Sequence, residues 1–381
     1  MPLQPHDEAL LLRAVTLAEQ SIGLSDPNPR VGCVLHTADG SLAGEGFTQQ
    51  AGGPHAEVMA MRAAVAAGRS LAGGTAWVSL EPCAHHGRTP PCADALIAAG
   101  LARVVVALTD PYDQVAGRGI ARLRAAGITV DLADAGPARD AAQALNIGFL
   151  SRVVRGRPWV RMKLAASLDG RTALPDGRSQ WITGAAARAD GHAWRRRAQA
   201  VLTGIGTVLA DDPQLDVRLV PTQRQPLRVV VDSRLNLPPA ARMLAVPGGV
   251  LVIAADHQPQ RQAALQAAGA QVRLLPGPAG RVDLAGLLAQ LASEGVGELH
   301  IEAGATLNGA LLAAGLVDEL LVYTAPMLIG PGRPLAGLPL LPALDQAPRF
   351  QFTDARLLDT DLRLLLRRPG ADAFLRQAPG T

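Results

Sequence analysis

His55-Ala56-Glu57, followed by Glu81-Pro82-Cys83-Ala84-His85-His86-Gly87-Arg88-Thr89-Pro90-Pro91-Cys92, decides the fold of the N-terminal part of this chain. The two segments supply imidazoles, two thiols and a carboxylate that need not be a ligand. Three N/S ligands are what a catalytic zinc requires, because the fourth position then stays open for a water whose pKa falls toward neutrality. The flanking residues say where these groups sit. An alanine-rich stretch after Pro54, Ala56 to Ala67, is predicted to be a helix stopped by Gly68, and Pro91 precedes a second helix, Cys92 to Ala99, stopped by Gly100. Ligands therefore fall at two helix N-termini, where the positive end of the dipole favours thiolate over thiol. The apolar runs Val31 to Leu35, Thr75 to Leu80 and Arg103 to Leu108 read as buried strands between them, giving a β-α-β-α-β order and a layered α/β domain.

The pattern H-x-E followed by P-C is the signature of zinc deaminases of bases and nucleosides, in which a non-ligand Glu moves protons between water, ring nitrogen and leaving amine. Here eight residues separate Cys83 from Cys92, where the commoner form has two. That string resembles the deaminase half of the bifunctional riboflavin-biosynthesis deaminase/reductase family, RibD. The likeness continues through Asn28-Pro29-Arg30-Val31-Gly32 and from Asp110 to Gly119, with departures at Arg30 and at Tyr112-Asp113. It implies zinc on His55, Cys83 and Cys92, catalysis by Glu57, and a cytidine-deaminase-like α/β/α layered domain over residues 1–150. It also implies that His55 and Glu57, which a regular helix would point to different sides, share an irregular first turn. His85 and His86 compete with His55 as ligands, and the position two residues before Glu57 favours His55, leaving them as substrate-loop residues. Cys33, inside an apolar run, reads as a small core hydrophobe. A Cys83–Cys92 disulfide is disfavoured, because only three cysteines and no secretory signal are seen.

At 381 residues the chain is long for one domain, and two are expected. Arg155-Gly156-Arg157-Pro158 punctuates the sequence after helical segments at Ala138 to Leu145 and Asn146 to Leu150, so the domains are set at 1–150 and 157–381. With 48% hydrophobic and 18% charged residues and no apolar span, a soluble cytoplasmic protein is expected. A net charge of +3 and 3% aromatics lack the basic stripe and stacking platforms of a polynucleotide deaminase.

The C-terminal part holds no cysteine and no second H-x-E, so it must do different chemistry. Strands are predicted at Val160 to Ala165, Ala200 to Leu202, Leu227 to Val231, Val250 to Ala254, Val272 to Leu275, Glu298 to Ile301 and Leu320 to Tyr323. Helices are predicted at Ala185 to Arg197, Gln258 to Ala268, Leu284 to Leu291 and Leu307 to Ala314. A late hairpin, Arg349 to Phe352 with Leu362 to Leu366, closes one mixed sheet. Gly204 and Gly206 follow a strand, but Leu209 stands where a dinucleotide fingerprint needs its third glycine. Glu302 to Gly309 sits at a strand-to-helix switch whose free N–H groups suit a pyrophosphate, although an ordinary tight turn would look the same.

Lys163 to Thr172, Ser179 to Thr183, Thr207 to Pro213 and Glu302 to Gly309 look like the reductase half of the same family. The resemblance implies a dihydrofolate-reductase-like α/β domain and NADPH. By position, Ala165, Trp181, Thr207, Asp211, Ser233 and the segment Gly304, Ala305, Thr306, Leu307, Asn308, Gly309 and Ala310 would line NADPH. Ser179, Arg195, Leu215, Arg218 and Glu302 would hold the substrate, with the two arginines forking onto its phosphate. Arg234 is expected near the 2′-phosphate, and Lys163 or Asp211 near the transferred proton. The expected activities are deamination of 2,5-diamino-6-(5-phosphoribosylamino)pyrimidin-4-one and reduction of the resulting ribosylaminouracil. Partners are then these small molecules, not nucleic acid or membrane, and the sequence leaves room for a homo-oligomer. Two alternatives stay open: a deaminase fused to a nucleotide-binding domain without turnover, Ala305 departing from the expected Gly or Pro, and a nucleic-acid base deaminase with an RNA-binding C-terminal half.

Overall fold

A computed structural model describes residues 3–84, 91–112 and 115–376. The chain divides into two compact units, Met1–Arg155 with Leu375–Thr381, and Gly156–Phe374.

In the first unit the order is α1 (Pro5–Ala18), β1 (Gly32–His36), β2 (Leu42–Phe47), α2 (Ala56–Ala66), β3 (Thr75–Val78), α3 (Cys92–Ala98), β4 (Arg103–Val106), α4 (Arg118–Ala125), β5 (Thr129–Leu132), α5 (Pro137–Leu145) and α6 (Ile147–Arg155). The sheet runs β2-β1-β3-β4-β5, antiparallel on either side of β1 and parallel from β3 to β5. Strand β2 interrupts the simple β-α-β-α-β order expected above. Its sequence Leu-Ala-Gly-Glu-Gly-Phe carries glycines because α2 lies almost on the strand: a Cβ on Gly46 would stand 2.4 Å from the Ala60 amide nitrogen and 2.5 Å from the Ala56 carbonyl oxygen. That contact sets the depth of α2, and with it the height of the residues at its first turn.

Arg30, a departure from the family pattern, is a structural residue. It is buried, donates its backbone N–H to Asn146 Oδ1 at 2.8 Å and its Nη1 to the Leu145 carbonyl at 3.1 Å, so it ties the start of β1 to the joint between α5 and α6.

The second unit contains β6 (Trp159–Ser167), β7 (Arg171–Ala173), α7 (Ala185–Arg197), β8 (Ala200–Gly204), α8 (Ile205–Asp211), β9 (Leu227–Val231), β10 (Val250–Ala254), α9 (Pro259–Ala267), β11 (Gln271–Leu274), α10 (Leu284–Ser293), β12 (Glu298–Ile301), α11 (Ala305–Ala313), β13 (Glu319–Ala325), β14 (Arg333–Pro334), β15 (Gln351–Leu358) and β16 (Asp361–Arg367). Nine strands form one mixed sheet in the order β11-β10-β9-β8-β12-β6-β13-β16-β15, parallel as far as β13 and antiparallel in the closing hairpin; β14 pairs separately with β7.

Both faces of the parallel part are covered, so its strands are near-continuous apolar runs. Val160, Met162, Leu202, Val229, Ile253, Leu299 and Ile301 pack on one face, and Val201, Val230, Val252 and Ala254 on the other. Buried charged groups interrupt them at Arg161, Arg228, Glu298 and Glu319. Arg161, 2% exposed, is held between Glu298 at 2.8 Å and Glu319 at 2.6 Å and stacks on the Trp194 ring, so the buried guanidinium is paired on every side. The carboxyl ends of the parallel strands open into a cleft, the usual position of a ligand in a sheet of this kind.

Candidate active sites

In the first unit His55 is the residue preceding α2, in extended backbone, and Glu57 is the second residue of the helix. The bend between them lets both side chains face the start of α3, where Cys92 is the first helical residue and Pro91 the cap. Cys83 arrives from the segment that follows β3. His55 Nδ1 lies 3.3 Å from Cys92 Sγ and 3.6 Å from Cys83 Sγ, and Cys92 donates its backbone N–H to Cys83 Sγ at 3.3 Å. The three donor atoms fall within 4.8 Å of one another. One imidazole nitrogen and two thiols converging on one point are the donor chemistry of zinc, so the residues fit the metal.

The Cys83 thiol is pushed down to about 4, mainly by its hydrogen bond with Cys92, with His55 assisting; the Cys92 thiol, on the other end of that bond, is pushed up. Glu57 is almost fully buried beside them, and burial, with the Cys83 charge, lifts its carboxyl to about 7. A carboxyl that changes protonation near neutrality can take a proton and give it back. Cys33 lies behind it on β1 with no exposed surface.

Glu81 shapes the rim, and composition gives no sign of it. Its carboxylate accepts four backbone N–H groups, from Asp110, Gly117, Gly119 and Ile120 at 2.9–3.2 Å, and so folds the segment after β4 back toward Cys83. His85 and His86 lie outside the described residues, as does Asp113.

The cleft of the second unit encloses about 1370 Å³. Of the residues expected on a cofactor, Ala165, Thr207, Asp211, Ser233, Gly304, Ala305, Thr306, Leu307, Asn308 and Ala310 line it; of those expected on the substrate, Ser179, Arg195, Leu215 and Glu302 do. Three do not. Trp181 is 65% exposed with its ring under the Arg188 guanidinium. Arg218 pairs with Asp216 at 2.5 Å. Gly309 faces the backbone at Gly337, whose carbonyl oxygen would lie 2.2 Å from an added Cβ, so this glycine allows the 337 segment to cross α11 closely. Asn308 fixes the same crossing, donating Nδ2 to the Ala303 and Leu335 carbonyls at 3.0 Å each.

The charged floor is built from β6, β12 and α7. Arg195 donates Nη2 to Glu302 Oε2 at 2.9 Å and Nε to Oε1, and Lys163 Nζ stands 3.8 Å from Oε2. Burial alone would raise the Glu302 pKa, but Arg195 and Lys163 hold it well below the usual carboxylate range. Burial lowers the Lys163 pKa. His192, beside Arg195, is driven down to about 4 by burial and by that guanidinium, so it is neutral and accepts the Arg218 N–H at 3.2 Å. Sequence reasoning missed Arg281 and Arg333, which also line the cleft; each follows a Gly/Pro-rich stretch, Gly277 to Gly280 and Gly330 to Gly332, that reads only as punctuation.

The fold and sites thus define a zinc-deaminase domain followed by a reductase domain with the dihydrofolate-reductase-like fold. Residues 4–108 match the cytidine and deoxycytidylate deaminase zinc-binding region, and residues 158–364 the RibD C-terminal domain. The riboflavin biosynthesis protein RibD of Escherichia coli is 46% identical over 374 residues, covering 95% of this chain and 99% of its own. Among solved structures, Acinetobacter baumannii RibD superposes with a TM-score of 0.84 at 42% identity, over 95% of this chain and 98% of that one. A diaminohydroxyphosphoribosylaminopyrimidine deaminase/5-amino-6-(5-phosphoribosylamino)uracil reductase from Thermotoga maritima gives 0.83 at 31% identity, with the same coverage. The chain belongs to the RibD family, the bifunctional deaminase/reductases of riboflavin biosynthesis.

Proposed function

We propose that the first unit hydrolyses the 2-amino group of 2,5-diamino-6-(5-phosphoribosylamino)pyrimidin-4-one, releasing ammonia, and that the second reduces the resulting 5-amino-6-(5-phosphoribosylamino)uracil to the ribitylamino compound with NADPH. The observation that carries this reading is the convergence of His55, Cys83 and Cys92 beside the buried Glu57, in a chain whose other unit opens a long cleft over Lys163, Arg195 and Glu302. When bound, zinc supplies a Lewis acid that makes water nucleophilic at neutral pH. Glu57 would take a proton from the attacking water and pass it to the ring nitrogen, then take the remaining hydroxyl proton and pass it to the amine, which leaves as ammonia.

In the second unit NADPH supplies the hydride to the ribose carbon. Arg195 and Glu302, locked together, fix the sugar-phosphate end of the substrate. Lys163, an ammonium facing the cleft, carries the proton that the reduced product gains along with the hydride. Asp211 suits this role less, because it lies on the exposed end of α8 while Lys163 stands beside Glu302. Three cysteines in 381 residues, two of them among the candidate metal ligands, fit a reducing, cytoplasmic compartment. No helix among the described residues is long and apolar enough to cross a membrane.

The test is mass spectrometry of the zinc-loaded protein incubated with the diaminopyrimidine ribotide, with and without NADPH. The deaminated ribosyl compound without NADPH, converted to the ribityl compound once it is added, is the expected result. Deamination alone would reduce the second unit to a binding module, and no reaction would return attention to nucleic-acid substrates.

A further inference from the structure

Neighbouring strands of the second sheet lie about 4.8 Å apart, so position along the edge of the cleft can be read as distance. Lys163 and Ala165 lie on β6, Glu302 and Gly304 follow β12, and Gly204 ends β8. Beyond them, three ladder steps from β6, Ser233 and Arg234 follow β9; Asp256 follows β10, and Arg281 follows β11, all lining the same cleft. The substrate end and the far end are thus separated by about 14 Å at β9 and about 24 Å at β11.

Both far-end loops are pinned. The buried Asp232 carboxylate accepts the Leu237 N–H at 2.7 Å, and Arg261 Nη1 donates to the Arg234 carbonyl at 3.0 Å and to Asn236 Oδ1 at 2.5 Å, fixing the first. In the second, Gly277 donates its N–H to the Arg281 carbonyl at 2.7 Å and Arg281 its own to Pro278 at 3.1 Å. Among the described residues neither the Arg234 nor the Arg281 guanidinium has a hydrogen-bond or ion-pair partner, although both line the cleft. Of the other two arginines lining the cleft, Arg195 is held by Glu302 and the Asp216 carbonyl, and Arg333 lies near enough to Asp211 to oppose the rise that burial gives its pKa. Two unpartnered guanidinium forks on fixed loops, at the end of the cleft remote from the reacting groups, fit a phosphate monoester.

We infer that Arg281, with Arg234, selects the phosphorylated dinucleotide by binding the 2′-phosphate of its adenosine ribose, while Asp256 between them meets the ribose hydroxyl edge. The inference rests on the reading of this cleft as the NADPH site and names the residues that discriminate NADPH from NADH.

The test is titration calorimetry on the full-length protein with NADP+, NAD+, 2′,5′-ADP and 5′-AMP, for wild type and for Arg281→Gln, Arg281→Lys and Arg234→Gln. A charge-assisted bond lost to water predicts about tenfold weaker binding of NADP+ and 2′,5′-ADP in each Gln variant, with NAD+ and 5′-AMP unchanged. Arg281→Lys should keep part of the affinity and most of its salt dependence. Equal weakening of all four ligands, or none, in Arg281→Gln overturns the inference while leaving the cofactor reading intact. Wild type that binds neither NADP+ nor NAD+ overturns the cofactor reading itself, and the inference falls with it.

Discussion

Arg195 and Glu302 form a two-pronged ion pair across the floor of the reductase cleft, Nη2 to Oε2 at 2.9 Å and Nε to Oε1. The pair joins α7 to the end of β12, and both side chains are only 13% exposed. Arg195→Ala would leave the Glu302 carboxylate with Lys163 alone, and losing one partner of a buried pair costs about 3–5 kcal/mol. Arg195→Lys keeps the charge but not the fork. Denaturant unfolding should show a clear loss for Ala and a smaller one for Lys. Steady-state reduction should show a raised KM for the ribotide in both, and a wild-type KM in Arg195→Lys would remove Arg195 from the substrate site.

Glu57→Gln is expected to lower deamination by about 10²–10⁴-fold, the usual worth of a positioned proton carrier, because it removes the titrating group without removing a ligand. Zinc content by elemental analysis should stay at the wild-type level, and reduction of the ribosylaminouracil should be untouched. Retained deamination in this variant would displace Glu57 from its role.

Lys163 gives the reductase step a pH signature. Burial lowers its pKa, while Glu302 opposes the shift. The folded pKa is therefore below the 10.5 of a free lysine, and the ammonium is lost on raising the pH before a free lysine would lose it. Reduction should decline on the alkaline side below that value, and Lys163→Arg, which stays charged, should move or abolish the decline. Lys163→Met should retain NADPH binding but reduce slowly. An alkaline limb unchanged in Lys163→Arg would assign the proton to another group.

Metal removal should separate the two activities, because His55, Cys83 and Cys92 belong to one compact unit and the cleft to the other. Chelation followed by dialysis should abolish deamination and leave NADPH-dependent reduction of the supplied ribosylaminouracil. Restoring zinc should restore the first activity. Loss of both rates on chelation would place the metal's role outside the first unit alone.

The two-unit fold class was readable wherever apolar runs are continuous and punctuated. Leu227–Val231, Val250–Ala254, Glu298–Ile301 and Ala185–Arg197 have the bounds their hydrophobicity and flanking residues predict. Strand β2 was not readable, because the glycines that admit α2 are the residues that mark turns in a linear reading. The two-residue β14 and the short α8 offer too few residues for any period to emerge. Side-chain direction is the other limit. Trp181, Arg218 and Gly309 lie in segments beside the cleft, yet a solvent-facing ring, a local ion pair and a tight backbone crossing turn them from it. Arg281 was hidden for the converse reason, since a Gly/Pro turn discloses a bend but not which side chain it aims inward.

The contact of Gly46 with α2 links packing to metal chemistry. Gly46→Ala would force its methyl to within 2.4 Å of the Ala60 amide nitrogen, so α2 must rise from the sheet. Overpacking of this kind costs about 1–3 kcal/mol when the neighbour can yield, and here the neighbour is helix backbone. Because His55 and Glu57 open that helix while Cys83 and Cys92 are carried by other segments, the displacement separates ligands from one another. Gly46→Ala should therefore lower zinc affinity and deamination together, with zinc competition by a chromogenic chelator giving the weaker affinity, while the reductase rate is preserved. A variant that is destabilised yet holds zinc as tightly as wild type would show that α2 adjusts away from its first turn and that the depth of the helix does not set the site.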